Sequence, residues 1–387
     1  MQIAPIYQQF QITFKYTVHF TEGLFNLSNP LLRNVILEDR TEEAPKVLFV
    51  IDHHVAEAVP ALVSDIQAYS QQNADAFQLV TEPVIIPGGE QCKNDPTYVQ
   101  QVLDIINDHG IDRHSYIIVI GGGAILDMVG YAASIAHRGI RHIRIPTTVL
   151  AQDDSGVGVK NSINAFGKKN FLGCFTPPNA VINDFNFLLT LSDREWRAGI
   201  AEAIKVALIK DASFFQFIQE NAAKLAQRDM AAMQYLIRRS AEMHVQHIGS
   251  GDPFEKGSSR PLDFGHWSAH KIEPLSNYRI RHGEAVAMGI ALDSVYSHLI
   301  GWLTEAEVNQ IISVIKALGF ELYATEMTSH LDDASHPDSL LHGLQEFREH
   351  LGGQLTIMLL EKIGYGVEVH EIDDKLVIEA IKKLQTY

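Results

Sequence analysis

Along the first half of the chain, short apolar runs are separated by longer stretches of helical periodicity. Residues 46–52 (KVLFVID), 83–87 (PVIIP) and 115–120 (SYIIVI) are too short for helices and apolar on both faces, as strands buried in a parallel sheet are. Residues 140–148 (IRHIRIPTT) bring a fourth strand. Between them, residues 54–72 and the region around 96–109 repeat at helical spacing. Nearer the N-terminus, residues 9–20 alternate cleanly, with Phe10, Ile12, Phe14, Tyr16, Val18 and Phe20 on one side. That alternation predicts a half-buried, antiparallel strand. Past about residue 187 helical periodicity runs almost throughout, broken by loops near 250–262, 274–282 and 328–340. The expected architecture is α/β plus all-α. A Rossmann-like, mostly parallel sheet domain would span residues 1–186, and a helical domain residues 187–387.

Composition narrows the classes. A length of 387 residues suits two domains, and 46% hydrophobic with 20% charged residues describes an ordinary soluble protein. The formal charge of −16 argues against a nucleic-acid partner, because no basic excess exists to neutralise phosphates. A locally basic pocket for a small anion is still compatible with it. Two cysteines, Cys92 and Cys174, are too few for a disulfide framework or a thiolate metal site. No apolar run approaches the length of a bilayer span, and residues 1–10 lack the pattern of a signal peptide. A cytoplasmic enzyme is the expectation.

Three polar loops fall at the carboxyl ends of expected strands. Gly121-Gly122-Gly123 opens a helix that carries Asp127, PGGEQCK spans residues 87–93, and Pro146-Thr147-Thr148 ends the fourth strand. The glycines suit a pyrophosphate at a helix N-terminus, although the spacing is not G-x-G-x-x-G and a plain tight turn would read the same. Residues 153–173 gather Asp154, Lys160, Lys168, Lys169 and Asn170, either as an anion-binding loop or as an ordinary surface loop. Glu202 and Lys205 stand three apart on an apolar helix, as a simple ion pair or as groups facing a cleft. In LDFGHWSAHKIE (262–273), His266 and His270 are four apart, and His282 opens a later helix. Glu202, His266 and His282 would together make a two-histidine, one-carboxylate set with positions open for substrate oxygens, the pattern of a catalytic zinc site.

With these residues in hand, the chain resembles the dehydroquinate synthase superfamily, the sugar phosphate cyclases, from about residue 45 to the C-terminus. The resemblance rests on PGGEQCK, GGGAILDMVG, RIPTT, DSGVGVKNSINAFGKKN, AGIAEAIK, GHWSAHKIE and RHGEAVAMG, in that order. It implies that Asp52, Glu90, Lys93, Gly122, Gly123, Asp127, Thr147, Thr148, Lys169 and Thr190 hold NAD. Glu202, His266 and His282 would bind Zn²⁺ or Co²⁺. Asp154, Lys160, Asn170, Lys205, Asp263 and His270 would surround the substrate, and Arg138 would complete the site of a neighbouring subunit in a homodimer. The implied reaction is transient oxidation of a secondary alcohol, elimination of phosphate, reduction and intramolecular aldol closure, with NAD recycled in each turnover.

Several positions depart from the synthase pattern. Met243 stands where a synthase lysine is expected, Asp263 replaces an asparagine, and FREHLGG (347–353) replaces a lysine-containing segment. Arg260 is retained in the loop between them. A carboxylate at Asp263 would repel a substrate carboxylate and accept a hydrogen bond from a sugar hydroxyl. These departures resemble the 2-epi-5-epi-valiolone synthase-like branch and the dehydroquinate-synthase-like proteins of the ebo gene cluster, and imply sedoheptulose 7-phosphate as substrate. Three alternatives stand beside this: a 3-dehydroquinate synthase acting on 3-deoxy-arabino-heptulosonate 7-phosphate, a metal-dependent alcohol or polyol dehydrogenase, and a catalytically silent binding protein.

Overall fold

The computed structural model describes residues 5–38, 43–250, 253–254, 263–350 and 353–387. Arg260 and most of the loop around it lie outside these residues. The chain runs β1 (Thr17–Thr21), α1 (Leu31–Glu38), β2 (Lys46–Asp52), α2 (His53–Ala58), α3 (Leu62–Gln72), β3 (Gln78–Leu79), β4 (Val84–Ile86), α4 (Glu90–Asn94), α5 (Pro96–Asp108), β5 (Tyr116–Gly121), α6 (Gly123–Ile135) and β6 (Arg141–Pro146). A hairpin of β7 (Lys160–Ala165) and β8 (Lys168–Phe175) follows, then β9 (Ala180–Asp184). Strands β1, β9, β6, β5, β2 and β3 lie side by side in that order, β4 also pairs with β2, and all these pairings are parallel.

The strands read as unbroken apolar runs because both sheet faces are covered. Val47, Phe49, Ile51, Ile118 and Ile120 pack on one side with Ile66, Tyr69 and Phe77. Leu48, Val50, Ile117 and Val119 pack on the other with Val102, Ile106, Leu126 and Val129 of α5 and α6. With every strand parallel, the carboxyl ends of β2, β4, β5 and β6 share one edge, where open α/β sheets bind ligands.

The strand expected over residues 9–20 is a correction. Only Thr17–Thr21 pair, and they do so in parallel with β9. Residues 5–16 run without regular structure, and Phe10 is 74% exposed. Alternation marks a two-faced segment but supplies no partner edge. Just upstream of β1, the Tyr16 hydroxyl donates to the Val157 carbonyl at 2.8 Å. Much of the stretch 153–173, read as loop, belongs to the β7–β8 hairpin.

The second half is built of α7 (Asp193–Lys210), α8 (Ala212–Ala226), α9 (Met230–Gly249), α10 (His266–Leu275), α11 (His282–Leu299), α12 (Glu305–Ala317), α13 (His342–His350) and α14 (Asp374–Leu384). The helical pattern missed one hairpin, β10 (Ile357–Lys362) with β11 (Tyr365–Val369). Helix α11 is buried on almost every side, from Gly283 to Ser297. Helix α7 is capped by Ser192, whose hydroxyl accepts from the Glu195 N–H, and sinks Trp196, Ile200, Ile204 and Leu208 into the same core. Among the described residues no helix is long and apolar enough to cross a membrane.

Helix α7 meets the sheet layer through Gly199, where an added Cβ would strike the backbone of Leu150 and Val149. Backbone cannot swing aside as a side chain can. Gly199→Ala is therefore expected to lower unfolding stability by about 1–3 kcal/mol, read from urea midpoints; an unchanged midpoint would mean the two layers separate without strain.

Candidate metal and nucleotide site

At the sheet edge, Asp52 is almost buried and caps α2, its Oδ1 accepting from the His54 N–H at 2.9 Å. A Cβ at Gly88 would collide with that carboxylate, so the PGG turn lies directly against it. Gly122 precedes α6 and has no side chain to cap it, so the first N–H groups of α6 are left to a ligand. The Thr147 N–H donates to the Gly121 carbonyl at 3.0 Å, and Thr148 Oγ1 accepts from Ala151 N–H at 3.1 Å. Lys93 is buried and donates to Asp127 Oδ2 at 2.7 Å and to Asn170 Oδ1 at 2.5 Å. Glu90 accepts from Asn164 at 2.9 Å.

Two residues of the hairpin reach groups on both sides of the site. Asn170, expected at the substrate, is held by Lys93 and Ser162 on the nucleotide side, with φ at 55°. Lys169, expected at NAD, reaches across to Glu273 at 2.9 Å and lies 4.0 Å from Glu90. Thr190 is exposed and bonds its own turn, Oγ1 to the Phe187 carbonyl at 2.7 Å. Lys160 opens β7 and is exposed.

The other half of the site gathers where three helices converge. Glu202 stands mid-way along α7, while His266 and His282 are the first residues of α10 and α11. Both Nε2 atoms lie 3.3 Å from Glu202 Oε1, and Lys205 Nζ lies 2.5 Å from Oε2. Neither carboxylate oxygen has a hydrogen bond of normal geometry, so these are close ion-pair approaches around a buried charge. Burial opposes the charge on Glu202, but Lys205 and His266 hold its carboxyl well below the usual range. Burial would push His282 down; Glu202 and Glu273 reverse this and raise it to about 10.

The donor set fits a divalent cation. One ligand atom each from Glu202, His266 and His282 lie within 4.8 Å of one another, and two nitrogens with one carboxylate oxygen match the zinc preference. The remaining imidazole nitrogens are oriented as well: His282 Nδ1 faces Glu273 Oε2 at 3.1 Å, and His266 Nδ1 faces the Phe264 carbonyl at 3.2 Å. Two further groups, Asp52–His53–His54 and His330–His336–Asp338, also come within ligand reach but are more exposed. His270 is exposed to the cleft, its ring centroid 5.5 Å from that of His266 and 6.0 Å from that of His282.

Above this trio, β6 leads into a π turn at Ala151–Ser155 that carries Asp153 and Asp154. Such turns recur at functional sites. Asp154 accepts from His244 of α9 at 2.7 Å. Burial raises the Asp154 carboxyl, but His244 and Lys205 outweigh it and hold it at about 2. Asp153 is fully buried, and burial, Asp154 and Glu202 push it well above the usual carboxylate range. Asp263 precedes α10, and its charge acts on both Lys205 and His270.

Met243 faces the helical core, and the residue of α9 at the site is His244. Sequence reasoning gave no role to His244 or to Glu273. Glu273 could have been found, since it falls seven after His266, two turns along one helix face. Arg138 is exposed beyond the far end of α6, about 20 Å from the glycine turn at 1.5 Å per residue.

The sequence matches two consecutive family models, 3-dehydroquinate synthase N-terminal over residues 83–198 and 3-dehydroquinate synthase C-terminal over residues 199–338. The chain belongs to the 3-dehydroquinate synthase family, within the sugar phosphate cyclases. Among curated relatives, a 3-dehydroquinate synthase of Nitrosococcus oceani is 35% identical over 301 residues, 78% of this chain and 81% of that one. One from Shewanella halifaxensis is 32% identical over 95% of this chain and 96% of its own. A solved 2-epi-5-epi-valiolone synthase from Streptomyces hygroscopicus subsp. jinggangensis, with NAD⁺ and Zn²⁺ bound, superposes with a TM-score of 0.86 at 28% identity over 98% of this chain and 99% of that one. A 2-deoxy-scyllo-inosose synthase in complex with carbaglucose-6-phosphate, NAD⁺ and Co²⁺ shares the fold at a TM-score of 0.76 and 22% identity, over 95% and 96% of the chains.

The Asp154–His244 pair has a pH signature. A carboxylate depressed to about 2 stabilises the fold above its unfolded value near ~4, and that contribution is lost as pH falls through 2. His244→Ala is expected to destabilise the protein at pH 7, with the gap to wild type closing as pH falls from about 4 toward 2. Denaturant titrations across that range measure it; a gap independent of pH would assign His244 to packing alone.

Proposed function

We propose that the chain is a sugar phosphate cyclase for an uncarboxylated seven-carbon substrate, sedoheptulose 7-phosphate, served by NAD and by Zn²⁺ or Co²⁺. The observation that carries the substrate is Asp263, a carboxylate acting on Lys205 and His270 beside the metal trio. A carboxylate there repels a substrate carboxylate and accepts a hydrogen bond from a hydroxyl. The close superposition with a 2-epi-5-epi-valiolone synthase supports the same reading.

When bound, NAD supplies reversible hydride acceptance and the metal supplies Lewis acidity at a hydroxyl oxygen. The chain's own groups do the rest. Asp52, Glu90, Lys93, Asp127 and the Gly122–Gly123 turn hold the dinucleotide at the sheet edge, and Glu202, His266 and His282 hold the metal. Lys205 and Asp154 orient the hydroxyl to be oxidised and carry its proton. His270 hydrogen-bonds the departing phosphate, and Lys160 neutralises it. Arg138, too far from its own glycine turn, completes the phosphate site of a second copy. Carbon–oxygen cleavage releases phosphate, the aldol step forms one carbon–carbon bond, and the cycle is redox-neutral.

Purified protein with NAD⁺ and Zn²⁺ or Co²⁺ is expected to release phosphate from sedoheptulose 7-phosphate without accumulating NADH. The names of the curated relatives favour a second reading, 3-dehydroquinate synthase. Release only from 3-deoxy-arabino-heptulosonate 7-phosphate would establish that one and overturn the first, and stoichiometric NADH would point to a net dehydrogenase. The shared site has its own check. Arg138→Ala and Lys160→Ala proteins, each inactive, should regain about a quarter of wild-type activity when co-refolded, because half the dimers then hold one complete site; no recovery would place Arg138 outside the chemistry.

A further inference from the structure

Asp293 sits on α11, eleven residues beyond His282, and is 2% exposed. Its two carboxylate oxygens take different donors. Oδ2 accepts from the Gly265 N–H at 2.9 Å, and Oδ1 from the Trp267 indole N–H at 2.9 Å. Those donors belong to the residues on either side of His266.

The turn between them has little other freedom. Gly265 adopts a left-handed φ of 77°, and a Cβ there would stand 2.6 Å from the Ile290 nitrogen of α11. A Cβ at Gly289 would in turn strike the Gly265 carbonyl. The start of α10 thus rests on the backbone of α11, and Asp293 pins it in register along that contact. His266 Nδ1 then faces the Phe264 carbonyl, which leaves Nε2 toward Glu202. A carboxyl buried for packing alone would be a poor choice, since desolvation pushes Asp293 up to about 7 against the pull of its two donors. Leucine would fill such a place at lower cost.

We propose that Asp293, acting through Gly265 and Trp267, is a positioning residue that sets where His266 presents its nitrogen to the metal. One helix thus supplies an imidazole at its first residue and, three turns later, fixes the turn that supplies the other. The inference rests on the reading of Glu202, His266 and His282 as metal ligands.

The test uses full-length Asp293→Asn, which keeps the shape but turns an amide NH₂ toward one of two N–H donors, beside Trp267→Phe and Glu202→Ala. Zinc affinity is measured by chelator competition, and the ligand field by visible absorption of the Co²⁺-loaded proteins. Asp293→Asn is expected to weaken zinc binding about 10–100-fold and to alter the cobalt bands, with Trp267→Phe moving both in the same direction by less. Wild-type zinc affinity and an unchanged cobalt spectrum in a folded Asp293→Asn protein overturn the proposal while Glu202→Ala still loses the metal. Should Asp293→Asn not fold, Trp267→Phe decides by the same two readouts. If Glu202→Ala keeps wild-type metal binding, the metal reading itself fails and the inference with it.

Discussion

A carboxylate sunk in an apolar helix is the constraint around which the second half of the molecule is arranged. Glu202 is 2% exposed and flanked on α7 by Ala201 and Ala203, both fully buried. Left alone, such a charge costs several kcal/mol, on the order of what a domain has to spare. Lys205 compensates it from one turn along the same helix, and His266 and His282 from the first turns of two others. That requirement draws the starts of α10 and α11 to one point. The close backbone contacts follow from it, since Gly283 meets Ala198 of α7 and Gly265 meets Gly289 of α11 with no room for a Cβ.

The two layers are then joined through charge as well as packing. Helix α7 touches the sheet layer at Gly199, one helical turn before Glu202, and the π turn after β6 brings Asp154 to Lys205 and His244. On the other side, Lys169 of the β7–β8 hairpin reaches Glu273, which orients His282. A residue near the sheet edge is therefore two contacts from a candidate metal ligand. Chemistry that needs a hydride acceptor and a Lewis acid on one carbinol depends on this closeness, because both must address the same few atoms at once.

Much of this was legible in the chain, for local reasons. β2 and β5 are covered on both faces, so they stand out as apolar runs, and the glycine turns must follow them because only those residues allow the backbone so near a ligand. Glu202, His266 and His282 were recoverable because metal chemistry restricts residue type and the histidines open helices. His244, Asp153 and Asp293 were not legible. Each looks like an ordinary polar residue of a helix or turn; His244 and Asp293 acquire partners only across tertiary contacts, α9 on the π turn and α11 on the start of α10, and Asp153 is set apart only by its burial. Residues 9–20 show the reverse failure. Their alternation is strong, but pairing depends on an available edge, and only Thr17–Thr21 find one on β9.

On the proposed reading, the charges around the cleft also bear on which substrate it accepts. Lys160 and a second copy's Arg138 supply positive charge for the phosphate, while Asp154 and Asp263 both set negative charge about Lys205. That negative charge is met in part, since Lys205 is shared with Glu202 and His244 is committed to Asp154. A second anion beside Asp154 and Asp263 would face like charge, and at ~4 Å each such contact costs roughly 1 kcal/mol in water and several times that in a partly buried cleft. Discrimination between carboxylated and uncarboxylated substrates then needs no separate recognition pocket. On that reading it follows from the two carboxylates set about Lys205.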